Sequence, residues 1–122
     1  MSENQPVSRE ELTRIVIDAL EDVKARDIRV LDVQDKSTIT DLLIIASGTS
    51  TRHVGALAEN VIFKAKHEAG IQPFSTEGEL SNDWVVVDLL DVVVHIFTPE
   101  TRDFYNLEKL WDTPPADAGQ AE

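Results

Sequence analysis

Gly48-Thr49-Ser50-Thr51 follows the apolar run Leu42 to Ala46 and precedes the basic pair Arg52-His53. A small, hydroxyl-rich turn between a strand and a helix can aim backbone N–H groups at an anion. The chemistry on offer there would be phosphate binding, and with it nucleotide handling. A Walker loop needs a lysine at fixed spacing, and the dinucleotide fingerprint needs three glycines; this stretch has one glycine and no lysine. Nucleotidyl transfer would also need two carboxylates on one strand face to hold Mg²⁺, hence Asp-x-Asp or Glu-x-Asp at period two. Asp88 and Asp91 stand three apart, and Glu77-Gly78-Glu79 has the period but falls in a predicted loop. Ser50 and Thr51 are also ordinary helix caps, and the sequence favours that structural role. A nucleotide-binding or nucleotidyltransferase-like enzyme remains the alternative.

The histidines make no better case for catalysis. His53 and His67 lie 14 apart on one predicted helix and form no His-x₃-His pair, and there is no cysteine. His95 is a lone histidine, whereas zinc takes three or four protein ligands. No serine has a convincing His/Asp constellation along the chain. The expectation is a protein without metal or cofactor, and not an enzyme.

The stretch "WVVVDLLDVVVHIF", Trp84 to Phe97, says more. It reads as two strands joined by a tight turn at Leu89-Leu90. Asp88 would then face Asp91, Val86 would face Val93, and Trp84 would face His95. One sheet face collects Val85, Val87, Val92, Val94 and Ile96 and reads as core. The other collects Trp84, Val86, Asp88, Asp91, Val93, His95 and Phe97. An aromatic flanked by valines and two carboxylates suits a partner interface. Glu77, Glu79 and Asp83 would rim it. The competing reading puts a helix over this face and Trp84 in the core.

These residues need elements to hold them. Ser8-Arg9-Glu10-Glu11 is a capping box, and Leu12, Ile15, Val16, Ala19, Leu20 and Val23 follow at helical spacing, predicting a helix from Arg9 to Ala25. Ile28 to Val33 predicts a strand, Asp35-Lys36-Ser37 a turn, and Ile39 to Ala46 a strand buried on both faces. A second helix starts at Ser50 or Thr51. Its buried stripe is Val54, Leu57, Ala58, Val61, Ile62 and Ala65, and Gly70 stands at its C-cap. Ile71 to Asn82 is mostly loop, with a short strand near Phe74. Thr98-Pro99 opens a last helix bearing Phe104, Tyr105, Leu107 and Leu110. The class is α/β: one domain, a mixed sheet with flanking helices. Residues 8–111 form the domain, with disordered ends at 1–7 and 112–122.

Length and charge bound the partners. The 122 residues fit a single core. No run is long enough to span a membrane, Met1 to Val7 lacks a signal core, and the expected location is the cytoplasm. Eleven Lys and Arg stand against 23 Asp and Glu, a net charge of −12. Nucleic-acid affinity comes mainly from Lys and Arg on phosphates, so direct DNA binding is not expected. The acidity serves either solubility or attraction to a basic protein.

Three segments in order resemble one family: "ITDLLIIASGTSTRHV" at Ile39 to Val54, "EGELSNDWVVVDLLDVVVHIF" at Glu77 to Phe97, and "RDFYNLEKLW" at Arg102 to Trp111. Together they resemble the ribosomal silencing factor, or Iojap-related, family from Leu12 to Trp111. The resemblance implies a fold similar to nucleotidyltransferases without their active-site acids. It implies a binding protein that holds the large ribosomal subunit through the universal ribosomal protein numbered fourteen. Such a protein blocks joining of the small subunit and represses translation when nutrients are scarce. It also implies a homodimer off the ribosome. The region of Trp84 and the neighbouring acidic loop matches the segment that meets the ribosomal protein. The candidate partner-binding residues are thus Glu77, Glu79, Asp83, Trp84, Asp88, Asp91 and His95. One departure stands out: the family usually has glycine where this chain has Leu90, which suggests a turn residue with positive φ.

Overall fold

The computed structural model describes residues 7–33 and 41–106. The elements run α1 (Arg9–Asp22), β1 (Arg26–Asp32), β2 (Leu42–Ser47), α2 (Thr51–Ala69), β3 (Ser75–Glu77), β4 (Trp84–Asp88), β5 (Val92–Phe97) and α3 (Pro99–Tyr105). The predicted turn at Asp35-Lys36-Ser37, the first residues of the predicted second strand, Leu107 and Leu110, and nearly all of the two predicted disordered ends lie outside the described residues.

α1 begins on half of its predicted capping box: the Glu11 N–H donates to Ser8 Oγ at 3.1 Å, while the Glu11 carboxylate lies 3.7 Å from the Arg14 guanidinium instead of reaching back to Ser8. It ends three residues before the predicted Ala25. Lys24 turns left-handed at φ 64°, the Lys24 N–H donates to the Glu21 carbonyl, and the Ala25 N–H donates to the Leu20 carbonyl. This double closure is a Schellman stop made without glycine. α2 is capped at both ends, by Ser50 Oγ accepting the His53 N–H at 3.1 Å and by Gly70 at φ 68°.

The strands form one mixed sheet in the order β1-β2-β5-β4-β3. β2 and β5 are parallel, and the other pairs are antiparallel. The inner face carries Ile44, Ala46, Val85, Val87, Val92, Val94 and Ile96. It packs on Leu12, Val16, Leu20, Val54, Leu57 and Val61 of α1 and α2. The outer face has its own smaller buried cluster of Leu31, Val33, Leu43, Ile45, Val93 and Phe97. Trp84 and Val86 pack against that cluster. β2 is therefore buried on both faces, as its unbroken apolar run predicts.

The β4–β5 hairpin corrects the predicted pairing. Asp88 pairs with Val93, Val86 with His95, and Trp84 with Phe97, a shift of two residues along the chain. Leu89 is not a solvent turn residue; it is buried in the main core. The favoured two-residue turns would have needed positive φ at Leu89, and type I′ at Leu90 as well. The hairpin instead closes through a longer loop in which only Leu90 is left-handed, at φ 76°. Asp88 Oδ1 accepts the Leu90 N–H at 2.8 Å, and the Val92 carbonyl accepts the Leu89 N–H at 2.9 Å. Asp91 consequently lies in the loop and not on the outer face. A shift of two preserves strand alternation, so the other residues keep their predicted faces.

Candidate partner-binding face

Three strands bring the outer-face residues together in rows. Across β2, β5 and β4 one row is Ile45, His95 and Val86, and Glu77 of β3 continues it beside Val86. The next row is Ser47, Phe97 and Trp84. Trp84 thus sits opposite Phe97, with His95 on the diagonal rather than directly across.

The Trp84 indole is held from several sides. Its Nε1–H donates to His95 Nδ1 at 2.9 Å. Its ring stacks on Phe97 with centroids 4.9 Å apart and 28° between planes. Tyr105 of α3 lies against it at 4.7 Å. Trp84 remains half-buried, so neither predicted extreme applies: it is neither a free surface anchor nor core.

His95 is partly buried, and its environment is apolar. Burial pushes its imidazole pKa down to about 4, because the charged ring would lose hydration. The ring is neutral at pH 7. Indole nitrogen only donates, so Nδ1 is the acceptor and the ring proton sits on Nε2.

The carboxylates divide. Glu77, Glu79 and Asp83 are exposed near the start of β4, and the Asp83 carbonyl also accepts the Thr98 N–H at 3.0 Å. Gly78 is needed between them, since a Cβ there would lie 2.0 Å from the Trp84 carbonyl oxygen. Asp88 and Asp91 lie at the far end of β4, away from Trp84. Asp88 is engaged in closing the hairpin loop, and exposed Asp91 lends its carbonyl to the Leu42 N–H.

Tyr105 and the exposed Phe104 of α3 join Trp84 and Phe97 in an aromatic group; the sequence places Phe97 on this face but does not bring the two α3 rings to it. The signal was available. Thr98-Pro99 fixes where α3 starts, and α3 follows directly from the outer-face aromatic Phe97.

The opening turn is occupied by its own side chains. The Thr49 N–H donates to His53 Nδ1 at 2.8 Å, and His53 Nε2 donates to the Val23 carbonyl at 2.6 Å. The Gly48 N–H donates to the Phe97 carbonyl. Amides already satisfied in this way offer a phosphate little. A cleft at the C-terminal ends of β2 and β5 is lined by Asp27, Arg29, Ser47, Arg102, Asp103 and Asn106. The buried Arg102 donates to Ser47 Oγ there at 2.6 Å, which braces α3 against the sheet. No group of three or more His, Asp or Glu side chains suited to a metal occurs among the described residues.

The family model for "Ribosomal silencing factor during starvation" matches residues 6–122. The chain belongs to the ribosomal silencing factor family. A ribosomal silencing factor of Haemophilus influenzae is 45% identical over 100 residues, covering 82% of this chain and 97% of that one. A crystal structure of a Chromobacterium violaceum protein superposes with a TM-score of 0.84 at 42% identity, covering 88% of this chain and 89% of that one. A mouse protein named for mitochondrial assembly of the ribosomal large subunit is 39% identical over 99 residues, covering 80% of this chain and 43% of its own length. The α/β silencing-factor fold is thus the one this chain adopts. No described helix of this family member is long and apolar enough to cross a membrane.

Proposed function

We propose that this protein binds the large ribosomal subunit through the universal ribosomal protein numbered fourteen, blocks docking of the small subunit and so represses translation under nutrient limitation. Family membership carries this reading, because the match runs through all three motif segments. The protein acts as a cytoplasmic binding factor without catalysis, is a homodimer when free, and uses residues 8–111 as its functional unit. Trp84 is the anchor of the docking face, with Tyr105 beside it. Glu77, Glu79 and Asp83 form an acidic rim that suits a basic ribosomal protein, and Asp88 and Asp91 add negative charge at the hairpin loop, apart from that rim. A chain of net charge −12 is repelled by RNA and attracted to a basic protein surface, which favours specificity and a fast encounter.

Sedimentation on a sucrose gradient tests this directly. The protein should comigrate with large subunits and lower the yield of joined ribosomes in a reassociation assay. Unchanged joining at saturating protein would overturn the proposal.

A further inference from the structure

An aromatic anchor binds tightly only if its ring is already in place, because ordering a side chain at the moment of binding costs free energy. Trp84 has two side-chain torsions to fix. Stacking on Phe97 at 4.9 Å sets the plane of the indole but leaves it able to slide. Contact with Tyr105 at 4.7 Å comes from a ring that is itself 54% exposed. Among the described residues, the one directional restraint on the indole edge is the Nε1–H bond to His95 Nδ1 at 2.9 Å.

We infer that His95 is a positioning residue for the partner: its Nδ1 fixes the Trp84 indole in the orientation that docking requires, and it does so without being the main contact. This rests on the reading of the Trp84 face as the docking face. Several features make His95 suited to the task. It stands on β5, next to Ile45 and Val86 on the neighbouring strands, so its backbone is held on both sides. Its ring lies at 16° to Phe97, which limits rotation. Its low basicity keeps Nδ1 unprotonated at neutral pH and therefore available as an acceptor. Without that acceptor the indole N–H would be left partly buried and unpaired, and the ring would swing to reach water.

The test uses two substitutions of nearly equal shape. His95→Asn places an amide oxygen where Nδ1 stands; His95→Leu removes the acceptor. Dissociation rates of the full chain from purified large subunits should be close to the parent for Asn. For Leu they should be about tenfold faster, the size one hydrogen bond contributes. Melting temperatures recorded alongside should be alike for the two variants. Equal binding by both variants, or equal loss in both, would overturn the inference. If His95→Leu does not fold, exchange of the Trp84 indole N–H in the ¹⁵N-labelled parent decides, with its signal assigned from Trp84→Phe. Protection from exchange supports the inference, and exchange at the rate of a free indole refutes it. The docking reading fails separately, if Trp84→Ala binds large subunits at full strength.

Discussion

His95 makes this fold sensitive to acid. The folded ring titrates near 4, below the ordinary 6.5 it regains on unfolding. Between those values the unfolded chain binds the proton and the folded chain does not, so stability rises with pH across the window. The contribution is complete above pH 6.5 and is lost as pH falls toward 4, by up to about 3 kcal/mol. Among the described residues, Glu77, Asp88, Arg26, Arg29 and Tyr105 are charged or titratable groups that the strands and α3 place toward the same face, but burial alone drives the shift. Urea titrations at pH 7 and pH 4.5 should show the loss in the parent. A much smaller loss should appear in His95→Asn; equal losses would remove His95 as the cause. Leu90 offers a second single-residue test. It is held at φ 76° with 58% of its surface exposed. Left-handed backbone costs a branched residue roughly 1–2 kcal/mol, and the larger unfolded entropy of glycine offsets part of the gain. Leu90→Gly should therefore stabilise the domain by about 1 kcal/mol, read as a higher urea midpoint at unchanged slope.

At the scale of elements, the start of α2 is the most exacting junction. Ser50 and not Thr51 is the cap, with His53 reaching both back to Thr49 and across to the end of α1 at Val23. The turn thus joins β2, α2 and α1. Ser50→Ala should cost about 1 kcal/mol of stability, whereas Thr51→Ala, at the first helical position, should cost much less. Both variants should bind large subunits normally once folded. Lost binding with unchanged thermal melts would instead place this turn at the interface. The cap itself was legible from residue type. Its link to Val23 was not, because 30 residues separate the two and only the packing of α1 beside α2 brings them together.

For the whole molecule, the face proposed for docking also contributes to folding. Trp84 is half-buried, so Trp84→Ala should cost about 2 kcal/mol of stability, less than the 3–5 kcal/mol typical of a fully buried aromatic. Affinity for the isolated ribosomal protein should fall by at least a further 2 kcal/mol or so, the usual size for an interface anchor. Neutralising Glu77, Glu79 and Asp83 together should act differently, slowing association and flattening its salt dependence with dissociation nearly unchanged. Rates measured at two salt concentrations, with thermal melts alongside, separate the effects. An acidic-rim variant whose association rate and salt dependence match the parent would take those carboxylates out of the encounter.

Local chemistry determined much of this protein by itself. The Ser8 cap and the Gly70 stop mark helix ends through hydrogen bonds made within a few residues, and Pro99 marks one through its fixed φ, with no side-chain cap bond from Thr98. Strand alternation assigned Trp84, Val86, His95 and Phe97 to one face, and that survived a register error because a shift of two leaves every side chain on its own side. The register itself belonged to the tertiary structure. It depends on Leu89 finding room in the main core and on Asp88 closing a longer loop, and neither is visible along the chain. The same holds for Tyr105 on Trp84 and for the indole bond to His95. Each of these joins groups whose meeting depends on how whole elements pack, and burial rather than residue type then sets what the groups can do.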